Sequence, residues 1–200
     1  KDFDMIGFTL QYELSYTNIL NMLNLAQIPL KSSDRESLTP LICVGGPCAC
    51  NPEPITDFVD IVFLGDGEET TNQIIDLLIK AKKNSMSKHE FLLKAKDITG
   101  IYVPSFYKDS YNDDGTLKSL EPLYDAPKKV KKAVVSDMNS VYYPKEFVVP
   151  YINIVHDRAV EEIFRGCIRG CRFCQAGFIY RPIREKSVET INKQSKALIE

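Results

Sequence analysis

The sequence predicts an α/β chain in three parts. These are a parallel-sheet domain over residues 1–95, a β-hairpin connector over 96–150, and the opening βα unit of a parallel barrel over 151–200. Three observations carry this prediction. Short, continuously apolar segments alternate with segments apolar at helical spacing in the first part, the pattern of strands buried on both faces between helices. Two strand-like segments flank Asn112-Asp113-Asp114-Gly115, a strong turn sequence. Near the C-terminal end a cysteine-rich loop stands between a strand-like run and a helical one.

Each element follows from local chemistry. Residues 3–10 (FDMIGFTL) read as a strand, and Ser15 as the N-cap of a helix carrying Asn18, Ile19, Met22, Leu23 and Leu25, stopped by Pro29. Residues 41–44 (LICV) read as a strand turned by Gly45-Gly46-Pro47, and residues 55–59 as a short helical turn. Residues 60–64 (DIVFL) read as the next strand, turned by Gly65-Asp66-Gly67 into a helix with Ile74, Ile75, Leu77, Leu78 and Ile79. Glycines at strand ends permit positive φ in tight turns, and Glu68 and Glu69 suit the positive end of a helix. The whole is a Rossmann-like alternation.

Residues 80–90, rich in lysine and serine, read as solvated. Residues 98–107 and 116–123 are the expected hairpin strands. Residues 125–150 contain Pro127, Pro144 and Pro150 and read as a connector with one strand at 131–135. Lys128-Lys129-Val130-Lys131-Lys132 is read there as a solvated linker in preference to a nucleic-acid patch. Residues 151–155 and 159–164 are strand candidates, the cysteine loop follows, and Ser187 caps a helix with Val188, Ile191, Ala197, Leu198 and Ile199. Strand, ligand-bearing loop and helix make the first βα unit of a partial TIM-type barrel, a fold that places its chemistry in loops at the carboxyl ends of its strands.

A net charge of −2 provides no global positive field for nucleic acid. No apolar run approaches a membrane span and no signal-peptide pattern is present, so the expectation is a soluble, cytoplasmic chain without a membrane partner. The chain opens at Lys1 and enters a strand almost at once, which suggests a piece of a longer polypeptide. The six cysteines form two groups, Cys43, Cys48 and Cys50, then Cys167, Cys171 and Cys174. A reducing compartment keeps such thiols free for metal.

The second group has CxxxCxxC spacing in Gly166-Cys167-Ile168-Arg169-Gly170-Cys171-Arg172-Phe173-Cys174. Three clustered thiolates suit three irons of a 4Fe-4S cluster and leave the fourth iron open to a substrate or cofactor. Arg165, Arg169 and Arg172 flank them, and cations there offset the negative charge of a thiolate-ligated cluster. Zinc is the alternative, but a structural zinc site wants four protein ligands and His156 stands at no fixed spacing. A redox-active CxxC at Cys171 and Cys174, or inert thiols, are the remaining readings.

This segment resembles the cluster loop of radical S-adenosylmethionine (SAM) enzymes. The stretch EEIFRGCIRGCRFCQAGFIYRPIREKSVE is similar to that of a bacterial radical SAM family with an N-terminal Rossmann-like domain, which residues 3–69 also resemble. The resemblance implies that Cys167, Cys171 and Cys174 hold the 4Fe-4S cluster and that SAM binds its open iron. Phe173 then occupies the motif's aromatic position near the adenine, and Arg165, Arg169 and Arg172 support the cofactors. It implies an oxidoreductase or transferase in which the reduced cluster cleaves SAM to a 5′-deoxyadenosyl radical. Flavodoxin or ferredoxin is the expected electron donor, and the substrate is unknown. Only 34 residues (200 − 166) follow Gly166, so the expectation is that this chain is inactive alone.

Relatives of the N-terminal domain resemble cobalamin-binding domains. Gly45-Gly46 matches their Gly-Gly turn, whereas Thr9-Leu10-Gln11 departs from their SxL strand end and the histidine loop is absent. Bound cobalamin is therefore disfavoured, and a turn role for the glycines is preferred. The rival function is a cobalamin- or nucleotide-binding module clipped by structural zinc. Tyr180, Arg181 and Arg184 stand equally as SAM or substrate contacts and as solvent-facing residues.

Overall fold

Four strands, β1 (Met5–Thr9), β2 (Leu41–Gly45), β3 (Ile61–Phe63) and β4 (Ile101–Tyr102), lie side by side in that order. The first three run parallel, and β4 joins antiparallel to β3. The computed structural model describes residues 2–144, 151–152, 155 and 158–199, and divides into two units, Lys1–Val134 and Val135–Glu200.

Strand alternation sorts the core of the first unit into two layers. Leu41, Cys43, Ile61 and Ile101 face one cluster with Ile74, Leu78, Phe91 and Leu92, which come from α2 (Glu68–Lys83) and α3 (Lys88–Ala95). Ile42, Val44, Val62 and Tyr102 face the other, with Ile19 and Leu23 from α1 (Tyr16–Leu25) and Ile55 from the 3-10 segment Glu53–Phe58. Side chains of period two on a sheet with helices on both faces account for the continuous apolar strands.

The α/β class and the parallel sheet agree with the sequence; several local expectations do not. Ser15 is no side-chain cap: it ends a 3-10 turn in helical conformation and donates its Oγ to Tyr12 O at 2.6 Å. Before Pro29, α1 is already closed by a Schellman arrangement. Gln27 adopts φ +53, its N–H donates to Asn24 O, and Ile28 N–H donates to Leu23 O.

Residues 80–90 are not simply solvated. There α2 runs to Lys83, and α3 starts behind a complete Ser87/Glu90 capping box and buries Phe91, Leu92 and Ala95. The first hairpin strand is β5 (Tyr107–Tyr111), not 98–107, because β4 and the 3-10 turn Pro104–Phe106 take up the earlier residues. It pairs with β6 (Leu117–Pro122) around a turn in which Thr116 N–H donates to Asp114 Oδ1 at 3.0 Å. The strand expected at 131–135 reduces to one parallel bridge between Gly65 and Ala133.

In the second unit the barrel opening is not seen among the described residues. The strand expected at 159–164 contracts to β7 (Phe164–Arg165), which pairs antiparallel with β8 (Arg184–Glu185). Of the strand expected at 151–155, residues 153 and 154 lie outside the described residues, as does His156; residues 151, 152 and 155 are bends and turn. The short α4 (Ala176–Ile179) follows the cysteine loop. Ser187 caps α5 (Val188–Ile199) as expected, its Oγ accepting Thr190 N–H at 3.2 Å. No helix among the described residues is long and apolar enough to cross a membrane.

Candidate functional site

The cysteine loop leaves β7 at Gly166, whose φ of +100 suits glycine. A Cβ there would stand 2.8 Å from Pro182 O and from Ile183 Cα, so the returning segment before β8 packs directly on the start of the loop. A second close approach lies at Gly177, where a Cβ would meet Arg169 O at 2.8 Å. Two glycines thus let the chain on either side of the thiols fold tightly onto the loop.

Cys167 and Cys174 are half-buried and Cys171 is exposed; all three are free thiols. Arg169 N–H donates to Cys167 Sγ at 3.4 Å, and Cys174 N–H donates to Cys171 O at 3.2 Å. Donor chemistry fits an iron-sulfur cluster: three soft sulfurs within eight residues, with a main-chain N–H already turned to one of them. The side chains do not converge, however, and among the described residues no three Cys, His, Asp or Glu groups stand together as a metal-holding set.

The residues expected beside the thiols are placed unequally. Phe173 is 91% exposed, an apolar ring without cover on the outer side of the loop. Arg165 forms a fork with Glu162, Nε to Oε1 at 2.8 Å and Nη2 to Oε2 at 3.0 Å. Arg169 and Arg172 are exposed. Arg181 stacks over Phe178 at 5.4 Å. Arg184 is neither a free contact nor solvent-facing. It is buried and donates to the carbonyls of Val135, Pro182 and Tyr180, which pins β8.

Sequence reading missed two buried polar networks. In the second unit Lys186 Nζ, wholly buried, bonds Glu161 Oε1 at 3.0 Å and Gln194 Oε1 at 2.8 Å and lies over the Tyr143 ring. In the first unit Asp60, fully buried at the start of β3, accepts from Arg35 Nη2 at 3.0 Å, Lys88 Nζ at 2.7 Å and Ile42 N–H at 2.7 Å. A charged residue directly before a continuously apolar strand was the available signal for this second network.

At the carboxyl ends of β1 and β2 the Gly-Gly turn meets its own chain. Gly46 has φ +96, and a Cβ would come within 2.9 Å of Leu10 O, while Leu10 N–H donates to Gly45 O at 2.7 Å. Main-chain packing therefore accounts for Gly46. Cys43 is buried in β2, and burial, reinforced by the Asp60 carboxylate, pushes its thiol pKa well up. Cys48 is buried as well, and Cys50 is exposed. His89 is exposed and lies edge-on to Phe106 and Tyr124. A polar cleft of about 780 Å³ in this unit is walled by charges of both signs, among them Lys31, Glu53 and Asp57. Beside it Tyr102 donates to Glu53 Oε1 at 2.8 Å; burial first, then Glu53, holds that phenol's pKa far above its usual value.

The chain is 29% identical over 192 residues to an uncharacterized protein, MJ0966, of Methanocaldococcus jannaschii, covering 96% of this chain and 34% of that protein. It therefore spans about a third of the relative's length. The model of the family described as radical SAM proteins, N-terminal, matches residues 1–104, the region that holds the four-stranded sheet and ends ahead of the cysteine loop. With more than half of its residues matched, the chain belongs to the radical SAM N-terminal family.

Proposed function

We propose that the protein carrying this chain is a radical SAM iron-sulfur enzyme and that Cys167, Cys171 and Cys174 are its cluster ligands. The observation that supports this most directly is the CxxxCxxC loop standing downstream of a region matched by the radical SAM N-terminal family. A 4Fe-4S cluster held by three thiolates supplies one open iron for SAM and the electron that cleaves it to methionine and a 5′-deoxyadenosyl radical.

The chain's own residues do the holding and shielding. The Arg169 N–H donates to Cys167 Sγ and so helps to orient that sulfur. Arg169 and Arg172, exposed on the loop, offset the charge of three thiolates, and Arg165 is oriented by its fork with Glu162. Phe173, uncovered, offers an apolar face to the adenine. In this reading residues 1–95 are a Rossmann-like domain that works without cobalamin, residues 96–150 a connector, and residues 151–200 the start of the barrel. The protein works in the cytoplasm, takes electrons from a flavodoxin or ferredoxin, and engages neither membrane nor nucleic acid through these residues. The 200 residues alone give no turnover, because the rest of a barrel is needed to enclose SAM and substrate.

Anaerobic reconstitution with iron and sulfide tests the assignment. About four irons per chain, falling sharply in Cys167→Ala, Cys171→Ala and Cys174→Ala but not in Cys50→Ala, is the expected result. Bound zinc without iron would favour the binding-module alternative.

A further inference from the structure

Past the end of β3 and the start of β4 the chain of residues 131–133 extends the sheet: Gly100 N–H donates to Lys131 O at 2.9 Å, and Gly65 and Ala133 form a parallel bridge. On the outer side of β1 there is no strand among the described residues, and β1 pairs only with β2.

Hydrogen-bond geometry says which groups stay open. Leu41 N–H donates to Asp4 O at 2.9 Å, and Leu10 N–H donates to Gly45 O at 2.7 Å. Even-numbered residues of this strand therefore turn their main chain toward β2. The period of two turns the N–H and C=O of Met5, Gly7 and Thr9 outward. Gly7 and Thr9 are exposed, and a Cβ built on Gly7 would meet nothing within 4 Å.

The side chains of this strand do not suit an edge. Proteins blunt open edges with lysine, proline, bulges or very short strands. The five residues Met-Ile-Gly-Phe-Thr contain no lysine or proline, and they pair with β2 without a bulge. Met5 packs toward the α2/α3 layer, and Ile6 and Phe8 toward the α1 layer. Apolar side chains directed to both faces are the composition of an inner strand of a parallel sheet.

We infer that β1 is an inner strand and that its outer edge receives a further parallel strand, supplied by polypeptide of the same protein outside these 200 residues. The aligned chain covers 34% of the relative from M. jannaschii, so that protein carries ample additional polypeptide from which such a strand can come. A parallel direction continues that of β1, β2 and β3, and main-chain groups of Met5, Gly7 and Thr9 are the acceptors and donors of the new ladder.

Amide hydrogen exchange, read residue by residue, tests this in the 200-residue chain and in the complete gene product that contains it. In the chain, Met5, Gly7 and Thr9 should exchange fast while Ile6, Phe8 and Leu10 are protected. In the complete product, the first three should slow by at least about a hundredfold. Protection of Phe8 in both samples certifies that the β1–β2 ladder is intact. Continued fast exchange at Gly7 in the complete product would overturn the inference. So would protection that rises with protein concentration, since that assigns the edge to a second copy.

Discussion

Arg35 Nη2 stands 3.0 Å from Asp60 Oδ1, with both side chains almost wholly out of water. The same guanidinium donates to Pro29 O, Leu30 O and Phe58 O, so it ties the segment before β2 to the entry of β3. Removing one partner of such a pair leaves a buried charge short of compensation. Arg35→Met should destabilise the first unit by about 3 kcal/mol, the lower end of the usual range because Lys88 still faces Asp60. Urea denaturation followed by circular dichroism measures it; a loss below about 1 kcal/mol would mean the network is not buried in solution.

Two glycines should respond oppositely to alanine. Gly65 has φ +95, and a Cβ would fall 2.1 Å from Ala133 O, so Gly65→Ala combines a disfavoured conformation with a main-chain clash. We expect a loss of at least about 2 kcal/mol. Gly7 has open space around it and no positive φ, so Gly7→Ala should be neutral or stabilising by up to about 1 kcal/mol. Thermal melting of the pair gives the comparison directly.

The cap of α3 predicts a pH effect of definite sign. Hydrogen bonds from Ser87, main chain first and then side chain, hold the Glu90 carboxyl below its ordinary pKa. A carboxyl depressed in the folded state stabilises it above the unfolded pKa and loses that contribution as pH falls through the folded value. Glu90→Gln should therefore flatten stability against pH on the acid side of the ordinary carboxylate range. Ser87→Ala should cost about 1 kcal/mol near neutrality. Chemical denaturation across that pH range checks both.

Much of the first unit was legible because its signals are local. Continuous apolar runs gave β2 and β3, and Asn112–Gly115 gave the hairpin turn. The misses have physical causes. Composition masked α3, since Lys88, His89, Glu90 and Lys94 look solvated, although the Ser87-x-x-Glu90 box marks a helix start. Lys88 lies mostly buried because Asp60 compensates it, a partner 28 residues away that no local window contains. Ser15 resembled a cap, but its hydroxyl is used backwards on Tyr12 O. In the cysteine loop, spacing announced the donor set, whereas the exposure of Phe173 and the burial of Arg184 depend on how the returning segment packs.

Burial should also rank the thiols. Cys43 lies in the core with its pKa pushed up by desolvation, while Cys171 is exposed. Thiolate is the reactive form, so iodoacetamide should label Cys171 in the native protein and reach Cys43 only after unfolding. Peptide mass spectrometry reads the order; native labelling of Cys43 at the rate of Cys171 would contradict the placement of β2.

Three protein thiolates on a four-iron cluster would leave one iron free for SAM. Electron paramagnetic resonance of the dithionite-reduced, reconstituted complete protein tests this most directly. The expected result is a reduced-cluster signal whose g-values shift when SAM is added and do not shift with 5′-deoxyadenosine, which lacks the amino and carboxylate groups that would bind the open iron. A cluster signal indifferent to SAM, or no paramagnetic signal from a protein that retains zinc, would contradict it.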